Sequence, residues 1–147
     1  MKTYTVCQNC SQLNRVSFDP PDGKAPICGK CKTELNVKGG ISELTASGLA
    51  DLIRKSPVPV IVDMWAPWCA PCRSFAPVYE RAARLLGEAT VLAKVNTEAN
   101  PVAGQLYQVR GIPTLIAFRG GREVARESGA MPLDMFMSWA RKAASQA

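Results

Sequence analysis

The sequence predicts an α/β fold, a mixed sheet with helices on both faces, preceded by a small cysteine-rich module. Three observations predict it. From Ile41 onward, β-branched apolar runs alternate with segments of helical periodicity. A Gly120-Gly121 dipeptide joins two extended runs near the end. The first 36 residues hold four of the six cysteines and few large apolar side chains. At 147 residues and 47% apolar, the chain suits one domain of about 100 residues plus an appendage.

The elements follow in order. Residues 1–36 form the module, too small for a sufficient core and therefore in need of a staple. Lys38-Gly39-Gly40 reads as a hinge, so residues 37–44 serve as linker and first strand, and 45–147 as the main domain. Thr45 to Lys55 carries Leu49, Leu52 and Ile53 at helical spacing and ends at Ser56-Pro57. Val58 to Trp65 is a buried strand. Ala70 to Leu86 places Phe75, Val78, Tyr79, Ala82 and Leu85 on one helical face, with Pro77 expected to kink it and Gly87 to close it. Thr90 to Val95 is a strand and Pro101 to Tyr107 a short helix. Thr114 to Phe118 and Arg122 to Glu127 form a hairpin. Met131 to Ala144 is a closing amphipathic helix with Leu133, Phe136, Met137 and Ala140 inward.

Charge and hydropathy exclude several functions. The net charge of +6 comes without any Lys/Arg block longer than two residues and without interleaved aromatics, so it reads as a self-repelling soluble surface and no nucleic-acid partner is expected. The most apolar stretch, Val58 to Trp65, is short and broken by Pro59 and Asp63, so no membrane partner is expected either. Met1 to Val6 lacks the apolar run of a secretory signal. The expected location is the cytoplasm, where cysteines stay reduced unless they bind metal or do redox work. There is no histidine, so acid–base chemistry falls to Asp, Glu, Lys or Cys.

The six cysteines form three C-x-x-C pairs. Cys69-Ala70-Pro71-Cys72 closes a strand and opens a helix. Helix N-terminal N–H groups favour a thiolate there, the species that attacks disulfides, and Cys72 sits one turn on, able to resolve a mixed disulfide. Pro71 suits the first turn. Alone, the pair reads equally as two buried cysteines or half a metal site; the strand–turn–helix context favours redox work. Cys7/Cys10 and Cys28/Cys31, 17 residues apart, match the spacing of a tetrahedral four-cysteine zinc site of structural type. Two disulfides, or further redox pairs, are the alternatives. Gly29 is expected to permit a tight turn, and Lys30 and Lys32 to offset the thiolate charge.

Trp65 to Cys72, Gly111-Ile112-Pro113-Thr114, Pro77, Gly120 and Gly129 together resemble the thioredoxin family over roughly Ile41 to Ala147. With the N-terminal pairs, the chain is similar to the family's zinc-containing bacterial branch. The resemblance implies a thioredoxin fold with a central mixed five-stranded sheet, and protein-disulfide reductase activity with Cys69 as nucleophile and Cys72 as resolving thiol. It implies one structural Zn²⁺, and thioredoxin reductase and disulfide-bearing clients as partners to a monomer. It implies that Asp63 is buried behind the disulfide, where it takes the proton of Cys72, with Lys94 as its buried partner. From the residues alone, Asp63 could reach solvent at a strand end and Lys94 could snorkel. It further implies a cis Pro113, and a client-binding patch of Trp68, Ala70, Pro71, Ile112, Pro113 and Gly129. Trp65 is assigned to packing. Ala70 departs from the family's usual glycine. Oxidising relatives often place His between the cysteines, so the neutral Ala70-Pro71 points to a reductant. The alternative is a zinc-dependent client-binding, chaperone-like or redox-sensing module on the same scaffold.

Overall fold

The run Val60-Ile61-Val62-Asp63-Met64-Trp65 is apolar on both sides of its pleat except at Asp63, as expected of a strand covered on both faces. In the computed structural model, which describes residues 1–146, it is the central strand β5, Val60–Trp65. The elements before it are β1 Lys2–Val6, β2 Leu13–Ser17, β3 Val37–Lys38, β4 Ile41–Glu43 and helix α1 Ala46–Lys55. After it come α2 Ala70–Leu86, β6 Val91–Asn96, α3 Pro101–Leu106, β7 Thr114–Arg119, β8 Arg122–Ser128 and α4 Leu133–Ala144. No helix among the described residues is long and apolar enough to cross a membrane.

The main sheet has the order β3-β4-β6-β5-β7-β8. β4 and β5 flank β6 in parallel, while β3/β4, β5/β7 and β7/β8 are antiparallel. This is a mixed sheet of six strands among the described residues, one more than the five expected. The addition is β3, which arises because Lys38-Gly39-Gly40 is a tight turn and not a hinge. Gly39 (φ 57°) and Gly40 (φ 79°) both take the left-handed conformation that a two-residue hairpin loop needs.

Strand alternation sorts the core into two layers. Ile61, Leu92, Leu115 and Ala117 face Phe75, Tyr79, Phe136 and Ala140 of α2 and α4. The rings of Phe75, Tyr79 and Phe136 meet at centroid distances of 5.6 to 5.7 Å, two of the three contacts edge-on. Val60, Val62, Met64, Val91, Ala93, Val95 and Ile116 face Leu49 and Leu52 of α1 and Ala103 of α3. Burying each such large side chain stabilises by about 1.5–3 kcal/mol.

Helix boundaries follow local chemistry. Thr45 caps α1 by accepting from Gly48 N at 3.2 Å. Helix α2 runs through Pro77, which lies on its exposed face, and stops at Gly87 with φ 59°. Helix α4 begins two residues later than its apolar pattern suggests, because Pro132 takes an extended conformation at the cap.

The N-terminal segment contains more than thiols. β1 and β2 form an antiparallel hairpin. Val6 enters the core beneath α1, Phe18 enters the core beneath α2 and α4, and a third small core gathers Cys7, Val16, Cys28 and Leu35. Thr5 and Ser42 share a buried hydroxyl–hydroxyl bond of 2.6 Å. Gln8 Oε1 accepts from Thr45 N at 2.7 Å, and Arg84 grips Asp19 with two bonds of 2.7 and 3.1 Å. The segment therefore rests on hydrophobic burial against the larger domain as well as on any metal.

Candidate active site and thiol cluster

Cys69 is the N-cap residue of α2, its backbone extended and its sulfur aimed back at the helix start. Its Sγ accepts from Cys72 N at 3.2 Å. Cys69 and Cys72 are joined as a disulfide with Cα atoms 5.2 Å apart. Pro71 occupies the first turn, where its missing N–H is no loss. Both sulfur residues are nearly covered, Cys69 at 4% exposure, while the adjacent Trp68 is 67% exposed. Ala70 and Pro71 are also exposed.

The loop before β7 lies against this pair. Ile112 O is 3.7 Å from Cys69 Sγ, and the Ile112–Pro113 peptide is cis. Pro113 O accepts from Gly129 N at 2.8 Å, which ties the β8–α4 connection to the same place. Gly129 has φ 96°, a conformation that favours glycine. Ile112 and Gly129 are half-buried.

Asp63 sits on β5, the strand that leads into the Cys69 loop. Its position on β5 matches the parity of Ile61, so it points toward α2, and it is 1% exposed. Its Oδ1 has no hydrogen-bond partner among the described residues. Burial pushes its carboxyl up to about 7, against the opposing pull of Lys94 and with a further push from Glu43. Lys94 is the register neighbour of Asp63 on β6. It is half-buried, with its ammonium 4.4 Å from the centre of the Trp65 ring. Trp65 thus carries a cation as well as packing.

Two residues of this region were missed in the sequence. Glu43 pairs with Lys94 from the other side, and Oε2 of its carboxylate is also without a partner among the described residues. Its only signal is the alternation on β4, where it shares the parity of Ile41. Tyr79, read as core, sets its hydroxyl against Ile61 O at 3.0 Å and Ala93 O at 2.7 Å, bridging β5 and β6. Burial raises its phenol well above the ordinary value, and the Asp63 charge adds to the rise.

The N-terminal thiols form a second centre. The four Sγ atoms of Cys7, Cys10, Cys28 and Cys31 lie within 4.8 Å of one another, and none is in a disulfide. Sulfur–sulfur separations of 3.5 Å (Cys7–Cys31) and 3.7 Å (Cys10–Cys28) are close to the roughly 3.8 Å edge of a tetrahedron with zinc–sulfur bonds of about 2.3 Å. Donors surround the sulfurs: Asn9 Nδ2 on Cys31, and Asn14 Nδ2 and Lys30 N on Cys28. Asn9, then Thr33, hold the Cys31 thiol down to about 5; the Cys31 backbone N–H, then Asn14, hold Cys28 down to about 7. The donor set fits a divalent ion that prefers thiolates. Gly29 lies in the turn of its knuckle, as expected, but without a left-handed backbone. The left-handed positions are Ser11 and Lys32, both at φ 67°, while Gly29 N donates to Asn14 Oδ1 at 2.9 Å.

A pair of thiols that closes to a disulfide within one turn at a helix N-terminus, beside an exposed tryptophan and a cis-proline loop, has the arrangement of a dithiol–disulfide exchange protein. Comparison with known proteins narrows the class. The thioredoxin family model matches residues 40–142. The chain is 38% identical to thioredoxin C-3 of Corynebacterium nephridii over 137 residues, covering 91% of this chain and 90% of that protein. That alignment is too long to fit within the thioredoxin domain alone and reaches into the cysteine-rich segment. Identity is 43% to thioredoxin 1 of Nostoc sp. (62% of this chain, 85% of that protein) and 37% to thioredoxin of Rhodospirillum rubrum (67% and 95%). The chain belongs to the thioredoxin family and is a protein-disulfide reductase of that type.

Proposed function

We propose that this chain is a cytoplasmic, monomeric, zinc-containing reductase of the thioredoxin 2 type, which draws electrons from thioredoxin reductase and delivers them to client protein disulfides. The observation that carries the reading is Cys69 at the cap of α2, its sulfur bonded to Cys72 N–H beside the loop of Ile112 and Pro113. Trp68, Ala70, Pro71, Ile112, Pro113 and Gly129 receive an extended client segment, whose backbone pairs with the chain beside Pro113.

The reaction follows from these positions. The Cys69 thiolate attacks one sulfur of the client disulfide, and the other client sulfur leaves as a thiolate that takes a proton from water. Cys72 gives its proton to the Asp63 carboxylate, through a water, and its thiolate attacks Cys69. The second client sulfur leaves, and the chain holds the Cys69–Cys72 disulfide. Two electrons have passed from the dithiol to the client, and the reductase restores the dithiol. Lys94 limits the charge around Asp63.

Functionally the chain divides into a zinc module at 1–36, a connector with the first strand at 37–44, and the thioredoxin domain at 45–147. Cys7, Cys10, Cys28 and Cys31 would hold one Zn²⁺, which supplies a structural cross-link between the two knuckles and no redox chemistry. The test is insulin-disulfide reduction with a thioredoxin reductase as electron source. Cys69→Ser is expected to fall to the uncatalysed background, while Cys7→Ser loses zinc and keeps turnover. Full activity in Cys69→Ser would end the redox reading, and client capture independent of Cys69 would favour a binding module.

A further inference from the structure

Register places three charged side chains in one row on the α2 face of the sheet. Glu43 on β4 pairs with Lys94 on β6, and Lys94 pairs with Asp63 on β5. The row before it is Ile41, Leu92 and Ile61, all core residues on that same face, which fixes the side on which the charged row lies. One lysine therefore sits between two carboxylates, and its ammonium rests on the Trp65 ring. Each carboxylate keeps one buried oxygen without a partner among the described residues, Glu43 Oε2 and Asp63 Oδ1. Two acids compete for one cation.

The two acids differ in access. Glu43 and Lys94 line a recess of about 470 Å³ together with Tyr79, Glu80, Arg84 and Lys38, whereas Asp63 does not line it and is 1% exposed. The charged and titratable groups facing Asp63 are Lys94 from β6, Glu43 from β4 and Tyr79 from α2. Lys94 and Glu43 carry opposite charges, so the charge on Glu43 offsets part of what Lys94 would otherwise do to Asp63.

We propose that Glu43 is a positioning residue for disulfide exchange: by holding part of the attraction of Lys94, it sets how readily Asp63 takes the proton of Cys72. The proposal rests on the reading of Asp63 as that base. Burial raises the Glu43 carboxyl above its ordinary value and Lys94 opposes the rise, the same two influences that act on Asp63.

The first test is the pH profile of single-turnover disulfide reduction by the reduced, zinc-loaded protein. Glu43→Gln is expected to move the acid inflection about one pH unit lower, because Lys94 then acts on Asp63 alone. Glu43→Asp keeps the charge and is expected to restore the wild-type inflection. Glu43→Gln combined with Asp63→Asn is expected to match Asp63→Asn alone. An inflection unmoved in Glu43→Gln overturns the proposal. The second test needs no variant: ¹³C titration of side-chain carboxyls in the oxidised wild-type protein. Asp63 is expected to show a second inflection at the pH where Glu43 titrates, and a single inflection overturns the proposal. An Asp63→Asn variant that keeps the wild-type profile would instead remove the base reading, and leaves the carboxyl titration to decide the coupling.

Discussion

The three C-x-x-C pairs share a spacing and a first hydrogen bond, then part. In each, the residue after the second cysteine donates back to the first cysteine's carbonyl: Ser11 to Cys7 at 2.8 Å, Lys32 to Cys28 at 3.1 Å and Arg73 to Cys69 at 3.1 Å. Ser11 and Lys32 then turn left-handed, and the chain doubles back so that Cys7 N meets Gln12 O and Cys28 N meets Thr33 O. The sulfurs of each knuckle face a common centre. Arg73 instead continues α2, which leaves Cys69 and Cys72 facing each other. One dihedral angle beyond the motif separates a metal cradle from a redox pair, so the spacing alone could not tell them apart.

Reactivity is the sharpest way to break that contrast. In the reduced, zinc-loaded protein at neutral pH, iodoacetamide should modify Cys69 at least about tenfold faster than any knuckle cysteine. Peptide mapping of the label would show it, and even labelling of Cys69 and Cys31 would erase the distinction.

Stability against pH gives the next largest effect. The Asp63 carboxyl is raised by burial, from an ordinary 3.8 to about 7, so the folded state binds a proton more tightly than the unfolded chain. Its cost to folding is absent below both values, grows between them and is complete above about 7. Asp63→Asn should therefore stabilise the protein on the order of 4 kcal/mol at about pH 8, an advantage that shrinks as pH falls toward about 4. Urea unfolding at the two pH values measures it. The same variant should slow the step that needs Cys72.

Phe18→Ala should cost about 3 kcal/mol. The loss should appear in the melting of the whole fold, since Phe18 packs in the core of α2 and α4. A loss confined to zinc affinity would mean that the N-terminal piece stands apart. The smallest contrast is local. Lys32→Val places a branched side chain at φ 67° and should cost about 1–2 kcal/mol with earlier zinc release, whereas Arg73→Val in a helical turn should cost about 0.5 kcal/mol and leave zinc untouched. Zinc-release and melting curves on both variants decide it.

Much of the larger domain was legible because its strands are covered on both faces and its helices are amphipathic. Val60–Trp65 and Ala70–Leu86 follow directly from such patterns. The hairpin β1–β2 was not, since Thr3 and Thr5 are buried polar residues whose partners, such as Ser42, are remote in sequence. Nor was β3, which depends on two glycines reading as a turn and not as slack. Asp63 and Lys94 came through the family resemblance, while Glu43 emerged only from register across three strands, information that no single segment carries.

A β-carbon placed on Gly40 would come within 2.2 Å of the Phe18 ring, so ring and backbone are fitted together with no spare room. Starting the polypeptide at Ile41 to obtain a minimal oxidoreductase would pull that ring out and leave a dent in the wall of the domain that does the chemistry. In this molecule the cysteine-rich head is also masonry, and a shortened version would be a leakier house.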